Sequence, residues 1–311
     1  MRILVTGASG YLGRVAVRLL DAEGHEVVGL VHRHQPRGFS RVEWRRGDLL
    51  DFHSLVLATS DVDAVVHLAG LTRVREAFAH PTRYYRVNVA GTLNLMEALA
   101  ISGGDAPPAR LVFASTGSVY GVPKRQPIDE DAPPDPRNPY AASKLAAEQA
   151  IAWQCATGQL GAVSLRIFNI AGAVGETGDP DGSRIIPKVA AVAAGRARRV
   201  DVYGDGSAIR DFVHVNDVAR AVLLALEACE TGTHRVFNVG ATPASVSSIL
   251  ETARKLTGRK LAVTHHPAHP GEAPKLMADN GRLRGKLGWQ PKSSSLEQLV
   301  ADQCRTELRS V

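Results

Sequence analysis

Tyr140 and Lys144 stand four residues apart in the run Tyr140-Ala-Ala-Ser-Lys144. On a helix, an i, i+4 spacing sets a phenol and an ammonium on one face, a turn apart. A free phenol, with a pKa of about 10, is a poor base at neutral pH unless a nearby cation favours its ionised form. With Lys144 supplying that charge, Tyr140 can take the proton of an alcohol or sugar hydroxyl. Alone, the spacing is common by chance and equally describes a packed Tyr and a solvated Lys. It gains meaning from its surroundings.

A second reactive stretch is Ala114-Ser115-Thr116-Gly117-Ser118-Val119-Tyr120-Gly121, just after the β-prone run Arg110 to Ala114. Open α/β sheets hold their ligands beyond the carboxyl ends of the strands. A small hydroxyl there can bond the same oxygen that Tyr140 deprotonates. Thr116 is the first choice, with Ser115 or Ser118 in reserve. The plainer alternative is a turn that happens to be rich in small residues.

The other reactant is implied by the N-terminus, MRILVTGASGYLG. Arg2 to Thr6 is a short apolar run suited to a buried parallel strand. Gly7, Gly10 and Gly13 follow at once, and a helical pattern continues through Arg14, Val15, Val17, Leu19 and Leu20. A strand entering a helix through spaced glycines makes a phosphate-binding turn, with the helix N-terminus adding positive potential. The spacing is Gly-x-x-Gly-x-x-Gly, not the commoner Gly-x-Gly-x-x-Gly. Directly after the first strand it predicts a dinucleotide site, and an oxidised nicotinamide would be a second positive charge for Tyr140. Hydride could then leave the carbon whose hydroxyl Tyr140 deprotonates.

The elements that must position these groups alternate along the chain. Strands are expected at Glu26 to Val31, Val42 to Arg45, Ala64 to Leu68, Arg110 to Ala114 and Ala162 to Phe168. A long helix is expected over Pro81 to Ser102 with Asn88 inside it, and another from Tyr140 to about Thr157. Pro123 to Pro139 holds six prolines and reads as a long irregular excursion. Alternation of this kind predicts an α/β fold, a Rossmann-type doubly wound parallel sheet. Beyond Asn169 the alternation loosens into Gly-, Pro- and Asp-rich loops. The expected division is a dinucleotide-binding domain over 1–168. The rest, 169–311, is mainly a smaller substrate-binding lobe, interwoven with the first and returning some segments to the sheet.

Composition narrows the function classes. The chain has 311 residues, 44% of them hydrophobic and 22% charged, which is ordinary for a soluble globular protein. The longest apolar runs, such as Val218 to Leu226, are short and broken by Arg220, so no transmembrane span is expected. The N-terminus does not read as a signal peptide. Cys155, Cys229 and Cys304 are sparse and far apart, which fits reduced thiols, a cytoplasmic location and no metal site. The net charge is +6, but the basic residues are scattered and no aromatic-interleaved stripe accompanies them. A nucleic-acid partner is not expected.

Together these residues resemble the extended short-chain dehydrogenase/reductase superfamily, and within it the UDP-glucose 4-epimerases and related nucleotide-sugar enzymes. The glycine turn, Tyr140-x-x-x-Lys144 and the Ser/Thr site carry the superfamily. More specific are His67-Leu-Ala-Gly-Leu71 with Pro81, Tyr84, Asn88 and Gly91-Thr92, and then Arg166-Ile-Phe-Asn169 and Ile186-Pro187. Val202-Tyr203-Gly204-Asp-Gly206, Arg210-Asp-Phe-Val-His214-Val-Asn-Asp217 and Lys286-Leu-Gly-Trp289 continue the likeness. It spans nearly the whole chain.

The resemblance implies roles residue by residue. The dinucleotide would rest on Gly7, Ser9, Gly10, Tyr11, Leu12, Gly13, His32, Arg33, Asp48, Leu49, Leu68, Ala69, Gly70, Asn88, Tyr140 and Lys144. Asp48 would meet the adenine, Lys144 the nicotinamide ribose, and Asn88 would support the site's architecture. Catalysis would fall to Tyr140 and Lys144, with Thr116, or Ser115, steadying the reacting oxygen. A nucleoside-diphosphate sugar would be held by Thr116, Asn169, Arg210 and His269. A homodimer is usual for the family.

The departures bear on the activity. At the end of the second strand, NAD enzymes of this class place an acid against the adenosine ribose. Here the run is Val31-His32-Arg33-His34. His32 and Arg33 suit a 2′-phosphate, which leans the cofactor towards NADP over NAD. Dehydratases of the family follow the threonine with an Asp-Glu pair. Gly117 and Ser118 stand there instead and argue against dehydration. Thr72 takes a lysine's place and His269 an arginine's, so the nucleotide half of the substrate is open. The leading expectation is an NAD(P)-dependent 4-epimerase; an NADPH-dependent keto-sugar reductase is the alternative, and a non-catalytic dinucleotide sensor the remote one.

Overall fold

The computed structural model describes residues 1–103, 109–268 and 273–309. The β-prone run at the N-terminus forms β1, Arg2–Thr6, and the next strands are β2, Glu26–Val31, β3, Glu43–Arg46, and β4, Ala64–His67. β5 covers Ala109–Thr116, β6 Leu160–Ile167 and β7 His234–Val239. They build one sheet of order β7-β6-β5-β4-β1-β2-β3. The ladders from β3 through β2, β1 and β4 to β5 are parallel. From β1 the chain runs outward to one side as β2 and β3, then crosses back to start the other side at β4. That reversal opens a crevice at the carboxyl ends of β1 and β4, where doubly wound sheets bind ligands.

The helices cover the sheet by burying one apolar face. In α1, Tyr11–Ala22, that face is Gly13, Val15, Ala16, Val17 and Leu20. Two short helices, α2 at Phe52–Thr59 and α3 at Val74–Ala79, have no counterpart among the expected elements. The long helix expected over Pro81 to Ser102 is present as α4, Pro81–Tyr85, a π turn at Arg86–Ala90, and α5, Gly91–Gly103. The π turn places Asn88 at its centre. α6, Pro139–Ala156, starts at Pro139, where a missing N–H costs nothing, and Asn138 caps it by accepting from the Ala141 N–H at 2.8 Å. Leu4, Val28, Leu55, Leu95, Leu99, Leu111, Phe113 and Ile151 form the buried core between the strands and α2, α5 and α6.

The chain divides into two compact units. One comprises Met1–Gly121, Pro133–Arg166 and Ala219–Phe237; the other comprises Val122–Ala132, Ile167–Val218 and Asn238–Val311. In the second, the strand Ile209–His214 is central. It pairs parallel to Asn169–Ala171 and antiparallel to Thr242–Ser245. The helices Ile185–Ala193, Val246–Thr257 and Leu296–Arg309 pack there through Ile186, Val189, Ile249, Leu250, Leu299 and Val300.

All three cysteines are free and buried, and burial pushes the Cys155, Cys229 and Cys304 thiols up to about 11, 12 and 11. They are inert at neutral pH. Among the described residues, no helix is long and apolar enough to cross a membrane.

Candidate active site

The glycine turn is shaped by two close approaches. Gly7 has φ of +69°, and a Cβ on it would lie 2.8 Å from the Ala69 backbone nitrogen. A Cβ on Gly13 would lie 2.0 Å from the Gly7 carbonyl oxygen, so α1 packs against the turn only because Gly13 lacks a side chain. The Gly10 N–H donates to Gly7 O at 2.9 Å and closes the turn. Gly10 is the N-cap of α1 and offers no side chain to its first N–H groups. A turn with no room for side chains and an uncapped helix start suits a pyrophosphate; the chain's donors fit a dinucleotide.

Beside this turn, β1 and β4 are joined through a buried imidazole. Thr6 and His67 are register partners. The Thr6 hydroxyl accepts from the Ala69 N–H at 3.1 Å and meets His67 Nδ1 at 2.7 Å. On the ring's other side His67 Nε2 is 3.0 Å from the Thr92 hydroxyl, which itself donates to Asn88 O at 2.7 Å. Since Thr92 spends its proton on Asn88, His67 carries its own on Nε2. Burial, helped by the Lys144 charge, pushes His67 down to about 3, so it is neutral.

Asn88 makes the next link. Its Oδ1 accepts from the Leu71 N–H at 2.8 Å, while Nδ2 donates to Leu71 O at 3.1 Å and to the Ser143 hydroxyl at 3.0 Å. Ser143 in turn donates to Tyr140 O at 2.8 Å. Thus Asn88, from the π turn, ties the stretch after Gly70 to the first turn of α6.

Tyr140 sits in that first turn, 9% exposed, where the helix dipole favours negative charge. Its ring meets the edge of Tyr84, centroids 6.4 Å apart. Tyr84 pins the preceding loop, its hydroxyl donating to Arg73 O at 2.7 Å and accepting from Arg73 N at 3.0 Å. One turn on, the Lys144 ammonium lies 4.2 Å from the centroid of the Phe113 ring on β5. Burial pushes Lys144 down to about 7, with Glu148 working the other way.

β5 extends to Thr116, so Ser115 and Thr116 close the strand instead of following it. The Thr116 hydroxyl accepts from the Ser118 N–H at 3.2 Å and caps the short 3₁₀ turn that follows. Ser115 donates its hydroxyl proton to the buried Glu148. Of the two hydroxyls, the Ser115 proton is thus already committed to Glu148. Glu148 is a buried site residue whose only mark in the sequence is its place four residues after Lys144. Its carboxylate also receives a forked bond from Arg166, with Nη2 at 2.8 Å and Nε at 3.1 and 3.2 Å.

Past β2, His32 and Arg33 are exposed, and Leu49, after β3, is buried. His32 Nε2 is 3.3 Å from Asp48 Oδ2, while Asp48 Oδ1 accepts from the Leu50 N–H at 3.0 Å. In the second unit, Asn169 donates to Asp211 O at 2.8 Å and Arg210 donates to Ile209 O at 2.9 Å. The Asp211 carboxylate holds the Ala241 and Ala278 N–H groups at 2.6 and 2.9 Å, and burial pushes it up to about 6. His269 lies outside the described residues.

Residues 3–240 match the NAD dependent epimerase/dehydratase family. A UDP-glucose 4-epimerase of Corynebacterium glutamicum is 36% identical over 97% of this chain and 94% of its own. The UDP-glucose 4-epimerase of Streptomyces lividans is 38% identical, with the same coverages of 97% and 94%. The crystal structure of a UDP-glucose-4-epimerase from Stenotrophomonas maltophila, with bound NAD and formylated UDP-arabinopyranose, superposes with a TM-score of 0.92. It is 30% identical, covering 100% of this chain and 98% of that one. Its cofactor is NAD, so the lean towards NADP finds no support there. The chain belongs to the NAD dependent epimerase/dehydratase family and is an NAD(P)-dependent sugar epimerase of the extended short-chain dehydrogenase/reductase type.

Proposed function

We propose that the protein is a nucleoside-diphosphate-sugar 4-epimerase, with UDP-hexoses of the kind its relatives are named for as the substrate class. The observation that carries this reading is the buried Tyr140–Lys144 pair at the start of α6, with the Lys144 ammonium against Phe113 on β5 and beside Gly70. A bound dinucleotide supplies a reversible hydride acceptor, so that a C4 alcohol and its ketone interconvert and return on the opposite face gives the epimer. Gly7 to Gly13 and the first turn of α1 would hold its pyrophosphate. Tyr140 takes the C4 hydroxyl proton and gives it back, and the helix dipole and Lys144 stabilise its phenolate. Thr116 donates to the same oxygen and fixes its direction. Asn169 and Arg210 would serve the diphosphate. Gly117 and Ser118 offer no carboxylate for eliminating water, which sets dehydration aside.

For the cofactor's finer identity we keep NADP, with NAD as the alternative. Val31 takes the acid's place, Arg33 is exposed two residues later, and Arg46 lies opposite Val31 in the β2–β3 register. Such a basic rim suits a 2′-phosphate. It is also the feature that favours a keto-sugar reductase as the second reading, since a reductase draws on NADPH each turnover. Exposed Trp153 and Ile101, 77% and 58% accessible on α6 and α5, give a homodimer a face to cover. A doubled mass in sedimentation would bear that out. Cytoplasmic location is part of the same reading.

Protein purified without added cofactor should carry close to one dinucleotide per chain, because an epimerase regenerates it in every cycle. Acid release and chromatography would read both its amount and its identity. Empty protein that oxidises NADPH one for one with a keto-sugar would replace the epimerase with the reductase.

A further inference from the structure

The least expected cluster in the first unit is a buried carboxylate serving two buried cations. Glu148 is 3% exposed and Arg166 7%, and the two form a forked ion pair. Lys144, 4% exposed, lies one turn before Glu148 on α6. Burying unpaired charge is costly, and a buried pair of this kind is weak evidence for stability, whereas removing one partner strands the other. What these two groups hold is informative. Glu148 accepts the Ser115 hydroxyl, and Arg166 Nη1 donates to the Tyr120 hydroxyl at 2.9 Å, with its guanidinium carbon 4.9 Å from the Tyr120 ring centroid. Ser115 immediately precedes Thr116, and Tyr120 ends the turn that Thr116 caps. Both flanks of Thr116 are thereby tied to one carboxylate–guanidinium pair, and that pair is anchored on the helix bearing Tyr140 and Lys144.

We propose that Glu148 is a positioning residue for the reaction: paired with Arg166, it braces the Ser115–Tyr120 segment to α6, sets the Thr116 hydroxyl against Tyr140, and keeps a negative charge one turn from the Lys144 ammonium. This rests on the roles given to Tyr140, Lys144 and Thr116 above. Misplacement of a reacting group by about 1 Å can cost about 10²-fold in rate, so a rigid link between the two halves of the site has a large effect to protect. The charge matters as much as the geometry. Lys144 faces the Phe113 ring on β5, the neutral His67 on β4, and Glu148 on its own helix; Arg166 on β6 and the buried, down-shifted His234 on β7 face Glu148 as well. Burial opposes the Arg166 charge, and its bonds to Glu148 more than restore it. Without Glu148, two buried cations remain without the carboxylate they share.

Glu148→Gln keeps an acceptor for Ser115 and removes the charge. Lys144 should then lose its proton at lower pH, moving the alkaline limb of the kcat–pH profile down by about one unit. Dinucleotide affinity measured at pH 6 should change less than about threefold. If the lone Arg166 charge prevents folding, the pair Glu148→Gln/Arg166→Met removes both charges while keeping that acceptor. The same shift is expected there, read beside a melting curve. A folded variant with the wild-type profile and kcat overturns the proposal. Tyr140→Phe, run alongside, separates the two levels: a fully active Tyr140→Phe overturns the underlying reading, while an inactive one beside a Glu148 variant with the wild-type profile and kcat overturns the brace alone.

Discussion

Tyr140→Phe should leave a folded protein that binds its dinucleotide yet turns over about 10³-fold more slowly, the range lost when a positioned acid–base group is removed. The substitution keeps the ring, so the edge contact with Tyr84 and the packing of Leu71 and Ala77 around Tyr140 survive. Stability should therefore fall by no more than about 1 kcal/mol, the value of a typical hydrogen bond. The helix start is unaffected, because its cap is Asn138 and the Ser143 hydroxyl bonds the Tyr140 backbone, not its side chain. A drop in kcat with unchanged affinity and melting temperature marks loss of a transition-state interaction. Equal activity of the two proteins would place the proton acceptor elsewhere.

Gly13→Ala should abolish dinucleotide binding while the same change at Gly285 does not. A Cβ on Gly13 falls 2.0 Å from one backbone oxygen and 2.8 Å from a backbone carbon, both of Gly7, and neither can swing aside as a side chain would. Relief requires α1 to lift from β1, which moves the N–H groups away from where a pyrophosphate would lie. Alanine is the better helix former by about 1 kcal/mol, so the clash must exceed that to register as destabilisation. Overpacking costs about 1–3 kcal/mol where side chains can yield. Backbone against backbone, the upper end applies and a net loss of about 2 kcal/mol is expected. Gly285 stands in a helix with open space around it, so Gly285→Ala should hold or raise the melting temperature. Calorimetric titration with the dinucleotide, beside melting curves, reads both; a Gly13→Ala protein with wild-type affinity would refute the packing described for the turn.

Much of the fold was legible because its signals are local. The glycines of β1–α1 and the bounds of β2 appear in the structure as they read in the chain. β5 runs further than expected because Ser115 and β-branched Thr116 continue the strand. α2 escaped notice, although Asp51 caps it by accepting from Ser54 N, since eight residues carry too little periodicity to separate a helix from a buried strand. β7 was beyond reach for a different reason: it joins the sheet across a long excursion through the second unit, and no local pattern encodes that pairing. The strands of that unit, many only two to four residues long, leave equally little to read.

The site divides along the same line. Tyr140 and Lys144 share a helical turn, so spacing alone sets them together. In the sequence Ser115 reads as a substitute for Thr116 because the two are chemically alike. What separates them is Glu148, 33 positions away in the chain, whose carboxylate claims the Ser115 proton. Likewise nothing in the chain brings His32 to Asp48, 16 positions on, yet the two side chains lie 3.3 Å apart just past the carboxyl ends of β2 and β3.

Hydride that leaves and returns to one carbon is the centre of this enzyme's chemistry, and an isotope label reads it directly. UDP-glucose carrying deuterium at C4, incubated with the purified protein in ordinary water and no added dinucleotide, should give UDP-galactose with the deuterium still on C4 and no net accumulation of reduced cofactor. Deuterium lost to solvent, or product formed only as added NADPH is consumed, would contradict it.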